Sequence, residues 1–189
     1  MAQKRKDWNG LISGFKASDL VFLDESGCNT DMTRRYAYSL GGSRAVDSAP
    51  LSKPKNTTIL SSIQLDGTLR YTTFSGGTTV ERFKRYLETD LLPHLNGNSV
   101  LIMDDMKSHH AKAVRNLLDS SGVRYIYLPP YSPDLNPIEK LWSKVKAFLR
   151  KFKARTLDAL PNAIQCAFQT VSPSDCSGWF HSCGYSPYF

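Results

Sequence analysis

The chain has 189 residues, 41% of them hydrophobic, which is enough for one domain with a buried core. Its 24 Lys and Arg against 17 Asp and Glu leave a net charge of +7, favouring a polyanionic partner, nucleic acid first. No apolar run approaches the ~20 residues of a membrane span, and MAQKRKDWNG is polar, so neither a spanning helix nor a signal peptide is expected and the cytoplasm is the expected compartment.

Residues 1–18 read as a polar, basic lead-in. Leu20–Asp24 is a short apolar run with polar flanks, the pattern of a buried strand. Tyr36–Leu40 reads as a second short strand stopped by Gly41-Gly42, and the Pro-bearing stretch 44–56 as a loop. Thr57–Leu65 and Leu69–Phe74 flank Asp66-Gly67, a hairpin signal. A helix capped by Thr78 or Thr79 runs to about Leu92, with Val80, Phe83, Leu87 and Leu91 at helical spacing. Val100–Met103 is a buried strand, Ser108–Ser120 a helix closed by Gly122, and Arg124–Leu128 the next strand. Four prolines then make a rigid loop. The following helix spans about Pro137–Phe152, with Asn136 as its cap and an apolar stripe through Leu141, Trp142, Val145 and Leu149. A last helix opens at Thr156, and the Ser-, Gly- and aromatic-rich stretch from Pro173 to Phe189 reads as a tail. The order strand, hairpin, helix, strand, helix, strand, helix, which leaves Tyr36–Leu40 outside, predicts an α/β fold, a mixed five-stranded sheet flanked by helices, with the first strand and the Val100 strand adjacent and parallel.

Carboxylates sit where such a sheet gathers ligands. Asp24 ends one strand, Asp104 another, and Glu139 lies in the first turn of the helix after the prolines. Each has an ordinary explanation alone; Asn136-x-x-Glu139 has the spacing of a capping box. Together they repel unless protons or a cation compensate, and a pair of magnesium ions both relieves the repulsion and activates a nucleophile for phosphodiester chemistry. Of the adjacent Asp104 and Asp105, only one is expected to face the common site. Lys140, Lys144, Lys146 and Arg150 give the same helix a basic surface suited to phosphate contact, with Glu139, Ser143, Lys146 and Arg150 along one edge. Trp142 reads as core. The four cysteines show no CxxC pair, and the Cys176, His181, Cys183 cluster lacks zinc-knuckle spacing, so free thiols are expected.

VFLDESG, LIMDD-x-x-x-H and LPPYSPDLNPIEKLWSKVK resemble the catalytic domain of insertion-sequence transposases of the mariner superfamily. Thirty-four residues separate Asp104 from Glu139, a spacing seen in one branch of that superfamily, and WFHSCGY resembles the domain's end, so the likeness spans about residues 18–185. The resemblance implies a ribonuclease-H-like catalytic domain over 19–189 whose Asp24, Asp104 and Glu139 form an Asp-Asp-Glu triad of metal ligands, with His109 auxiliary. Two magnesium ions are implied, manganese substituting. The implied reaction is cut-and-paste transposition: water attacks a phosphodiester at the transposon end, and the freed 3′-hydroxyl attacks target DNA. Asp105 departs from the family, which usually has Asn there. Only 23 residues precede Asp24, too few for a helix-turn-helix end reader, so that module is expected on an upstream-frame polypeptide, unless the chain is truncated. DNA ends, target DNA and a second copy in a homodimer are the expected partners, with no membrane. The alternatives are a stand-alone endonuclease of the same fold and a catalytically silent regulatory remnant that binds DNA.

Overall fold

The computed structural model describes residues 2–34, 36–51 and 54–185. Five strands form one mixed sheet: β1 (Leu20–Cys28), β2 (Thr57–Gln64), β3 (Leu69–Ser75), β4 (Val100–Met103) and β5 (Arg124–Tyr127). Their order is β3-β2-β1-β4-β5. The hairpin signal gives the antiparallel β2–β3 pair, and β1 lies antiparallel to β2 but parallel to β4, as expected. At the hairpin tip Gly67 has φ +91°, and a Cβ there would stand 2.9 Å from Pro173 Cα, so the turn needs glycine twice over.

Alternation along the central strands divides the core. Leu20 and Phe22 of β1 and Val100 and Ile102 of β4 face one side; Val21, Leu23, Leu101 and Met103 face the other. The first side is covered by α1 (Ala2–Ile12), α4 (Ile138–Phe152), α5 (Ala159–Gln169) and α6 (Pro173–Ser182). The second is covered by α2 (Val80–Tyr86), its π and 3₁₀ continuation to His94, and α3 (Lys112–Ser121). Thr79 caps α2, its hydroxyl accepting from the Arg82 amide, and Gly122 (φ 71°) ends α3.

Four stretches differ from the sequence reading. Tyr36–Leu40 is not a strand: Tyr36, Tyr38 and Leu40 are exposed, and β1 already has a neighbour on each edge, leaving a further strand nothing to pair with there. The lead-in contains α1, held down by the single buried aromatic Trp8. The tail contains α6, started by a capping box in which Ser172 and Asp175 exchange side-chain and backbone bonds; residues 186–189 of the tail lie outside the described residues. Residues 107–110 form a turn, so α3 begins at Lys112 and not at Ser108.

Candidate active site

Parallel pairing ends at Leu23 beside Met103. β4 stops there, but β1 runs on to Cys28 paired with β2, so Asp24 lies mid-strand and not at a strand end as expected, on the same face as Asp104 just past β4. Across that face α4 brings Glu139 in its first turn. All three line one cavity of about 370 Å³, with Asp105, the 128–133 loop and Asn136. Four carboxylates line it, with no Lys or Arg among the described lining residues, in a protein of net charge +7.

Each strand acid is held from behind. Asp24 is 8% exposed; its Oδ2 accepts from Trp142 Nε1 at 3.0 Å and its Oδ1 from the Glu25 amide at 2.8 Å. Burial outweighs these donors and pushes the carboxyl up to about 7, with the charges of Glu25 and Asp104 adding to the rise. Asp104 Oδ1 accepts from the Met106 amide at 3.1 Å and lies 2.8 Å from Nδ1 of the fully buried His109. His109 Nε2 is 3.3 Å from Glu25 Oε1, and its ring stacks on Phe83 at 4.3 Å. Burial pulls the imidazole down, but the bonds to Asp104 and Glu25 and their charges win and raise it to about 10. His109 is thus wedged between two acids, in a turn ahead of α3.

Glu139 is exposed, and its amide donates to the Asn136 carbonyl at 3.1 Å. The capping-box explanation finds no support: α4 has no side-chain cap, Pro137 occupies the cap position, and Asn136 Oδ1 is buried without a partner. Asp105 also lines the cavity, against the expectation that it faces elsewhere, because β4 stops at Met103 and strict alternation stops with it. Its carboxylate pairs with His110 at 2.5 Å, and His110 lies against Tyr127.

The four α4 residues expected to contact phosphate divide. Lys146 and Arg150 follow Glu139 down one edge and, with residues 27–29 of β1 and its exit, line a second cavity of about 430 Å³. Lys144 instead pairs with Asp175 of α6 at 2.6 Å, and Lys140 lies one position round from the Glu139 edge. Sequence reasoning missed Glu25 and the hydrogen-bonding role of Trp142. The Asp24-Glu25 dipeptide was a weak signal for the first; no local pattern reveals the second. All four cysteines are free, burial pushing the Cys28 and Cys176 thiols up to about 11. Among the described residues no three His, Cys, Asp or Glu already close on one point as ligands of a single metal ion. The donor set still fits a hard divalent cation: oxygen donors only, with Asp24 forced towards protonation by its surroundings.

A mixed five-stranded sheet flanked by helices, with acids from the middle of the central strand, the end of its parallel neighbour and a helix start in one cavity, is the ribonuclease-H-like architecture. The chain belongs to the DDE superfamily endonucleases, whose family model matches residues 19–161. It is 28% identical over 97 residues to the Tc1 transposase of Caenorhabditis elegans, covering 49% of this chain and 36% of that protein. Its fold resembles that of a pre-cleavage Mos1 transpososome, with TM-score 0.81 and 18% identity over all of this chain and 63% of the Mos1 chain. The isolated Mos1 mariner catalytic domain aligns over 96% of this chain and 86% of its own length, with TM-score 0.68 and 16% identity. The chain therefore spans about a third of the Tc1 transposase and under two thirds of the full Mos1 chain.

Proposed function

We propose that this chain is the catalytic domain of a cut-and-paste DNA transposase, with Asp24, Asp104 and Glu139 as its metal ligands and catalytic acids. One observation carries the reading: a cavity whose charged lining is four carboxylates, in a basic protein, where the parallel pairing of β1 and β4 ends, with two of its acids braced by buried donors. The Tc1 and Mos1 likenesses support it, and Mos1 paired-end complexes with Mg and with Mn support magnesium as the cofactor, manganese substituting.

When bound between these acids, two magnesium ions supply charge neutralisation and polarise both the attacking and the leaving oxygen. The chain's own groups set the geometry. Trp142 and the Glu25 amide fix the Asp24 carboxylate. His109 fixes Asp104, with Glu25 behind it holding the imidazole charged and oriented. Glu139, on a helix start without a side-chain cap, closes the third side. Hydrolysis forms a bond from water oxygen to phosphorus and breaks the bond to the 3′-oxygen, which leaves as a 3′-hydroxyl. In strand transfer that hydroxyl attacks a target phosphorus, displacing a target 3′-oxygen. Lys146 and Arg150, about 10 and 16 Å along α4 from Glu139 by helical rise, contact the flanking DNA backbone. Lys140 and Lys144 are peripheral to that path. DNA ends, target DNA, a second copy of the chain and an end-reading helix-turn-helix polypeptide are the partners of this reading, and the cytoplasm its compartment.

The experiment is strand transfer from a pre-cut duplex with a free 3′-hydroxyl into plasmid DNA, with magnesium. Joined products that vanish in Asp104→Asn establish the transposase. Nicking without joining would establish a stand-alone endonuclease instead, and magnesium-independent binding with neither activity a regulatory remnant.

A further inference from the structure

The two ends of the described chain meet behind the acidic cavity. Trp8 of α1, 4% exposed, donates its indole N–H to Tyr185 Oη at 3.2 Å. Tyr185 Oη donates in turn to the carbonyl oxygen of Leu135 at 2.5 Å. One residue earlier, both guanidinium prongs of Arg5 reach the Asp134 carboxylate. Leu135 closes the short turn Pro133–Leu135 that leads into α4, and Glu139 follows four residues on. The Tyr185 ring also packs on Phe22 at 4.9 Å between centroids, and on Phe180. Phe22 lies two residues before Asp24 on β1. A single side chain therefore touches both the strand that carries Asp24 and the segment that launches Glu139.

These contacts differ in weight. The Arg5–Asp134 pair is exposed on both sides, 41% and 58%, and such pairs contribute little. The Tyr185 hydroxyl is buried, and burial keeps the phenol in its protonated, donating form. The carbonyl it serves belongs to a 3₁₀ turn, which has few bonds of its own. Losing this donor leaves a partly buried carbonyl unserved just before the helix start.

We propose that Tyr185 is a positioning residue for the reaction: it ties the Leu135 carbonyl to β1 and so sets the spacing between Asp24 and Glu139, with Trp8 of α1 fixing the phenol. The proposal rests on Asp24 and Glu139 being site acids. Tyr185→Phe removes only the hydroxyl and keeps the ring on Phe22; Trp8→Phe removes the N–H that orients it. The test pairs amide hydrogen exchange with Mn²⁺ titration followed by electron paramagnetic resonance. In Tyr185→Phe, exchange over 135–140 should rise about fivefold to tenfold while β1 and β4 are unchanged, and Mn²⁺ affinity should weaken by a similar factor. Trp8→Phe should act in the same direction. The double variant should be no worse than Tyr185→Phe, because the two lie on one path. Unchanged exchange over 135–140 overturns the proposal, as does faster exchange spread evenly over the sheet in both variants, or faster local exchange with unaltered Mn²⁺ affinity. If the unaltered protein holds no Mn²⁺, the reading of the acids fails, and the exchange data alone then decide whether Tyr185 tethers the segment.

Discussion

The indole N–H of Trp142 donates to Asp24 Oδ2 at 3.0 Å, joining a helix residue to a strand acid 118 positions away. Trp142 is 3% exposed and Asp24 8%, so the bond is shielded from water. Trp142→Phe leaves that carboxylate one donor short. We expect a stability loss of about 2 kcal/mol at pH 8, where Asp24 is ionised, and less at pH 5, where it is protonated. Chemical denaturation at the two pH values checks this; equal losses would show that only packing was removed.

Asp24 also predicts a pH dependence. Its folded value of about 7 lies above the ordinary carboxylate value of 3.8, so the folded state holds the extra proton. The stabilising effect of that proton is complete below about pH 4 and is lost as pH rises through 7. Asp24→Asn, which keeps the shape without the charge, should match the unaltered protein near pH 4 in EDTA. It should melt progressively higher from there to pH 8. Added Mg²⁺ should narrow the gap by stabilising only the unaltered protein. Melting curves by calorimetry test both the sign and the window.

The pair at 104 and 105 separates by geometry. Asp104 leaves β4 on the Asp24 face and is held by His109, whereas Asp105 is half exposed and paired with His110. Asp105→Asn should keep DNA cleavage within a few-fold, and Asp104→Asn should abolish it without loss of fold. A plasmid-nicking assay with magnesium reads both. The reverse pattern would mean that the strand register places the other acid in the site.

Lys146 and Arg150 share an edge with Glu139, and Lys144 does not. Lys146→Ala with Arg150→Ala should weaken binding to a duplex of any sequence and reduce the slope of log affinity against log salt by about 2. Lys144→Ala should leave both unchanged and lower stability slightly by freeing Asp175. Fluorescence anisotropy at three salt concentrations distinguishes them.

Much of this fold is readable locally. Val100–Met103 has the apolar run of a buried strand, and α4 has its stripe and basic edge, because period and burial coincide in both. Asp104 and Glu139 could be placed from a strand end and a helix start; Asp24 was read as ending its strand because the apolar run stops there, but β1 continues to Cys28 through its pairing with β2. What stayed hidden depends on distant partners. His109 and Glu25 are 84 positions apart, and nothing near either announces the other. α1 has one buried anchor in a polar run, too few for an amphipathic pattern, and Trp8 finds Tyr185 only in the fold. α6 was masked by Ser and Gly, although Ser172 and Asp175 did spell its capping box. Tyr36–Leu40 has strand-like residues, but strand propensity is realised only where side chains pack on a neighbour, and Tyr36, Tyr38 and Leu40 are exposed.

The proposed chemistry requires Asp24, Asp104 and Glu139 to act together as ligands. Mn²⁺ titration of the unaltered chain, Asp24→Asn, Asp104→Asn and Glu139→Gln, followed by electron paramagnetic resonance, measures this without relying on turnover. The expected result is binding by the unaltered chain that weakens at least about tenfold in every variant, each still folded by circular dichroism. Undiminished Mn²⁺ binding in Glu139→Gln, the acid brought by α4 and not by a strand, would contradict the account.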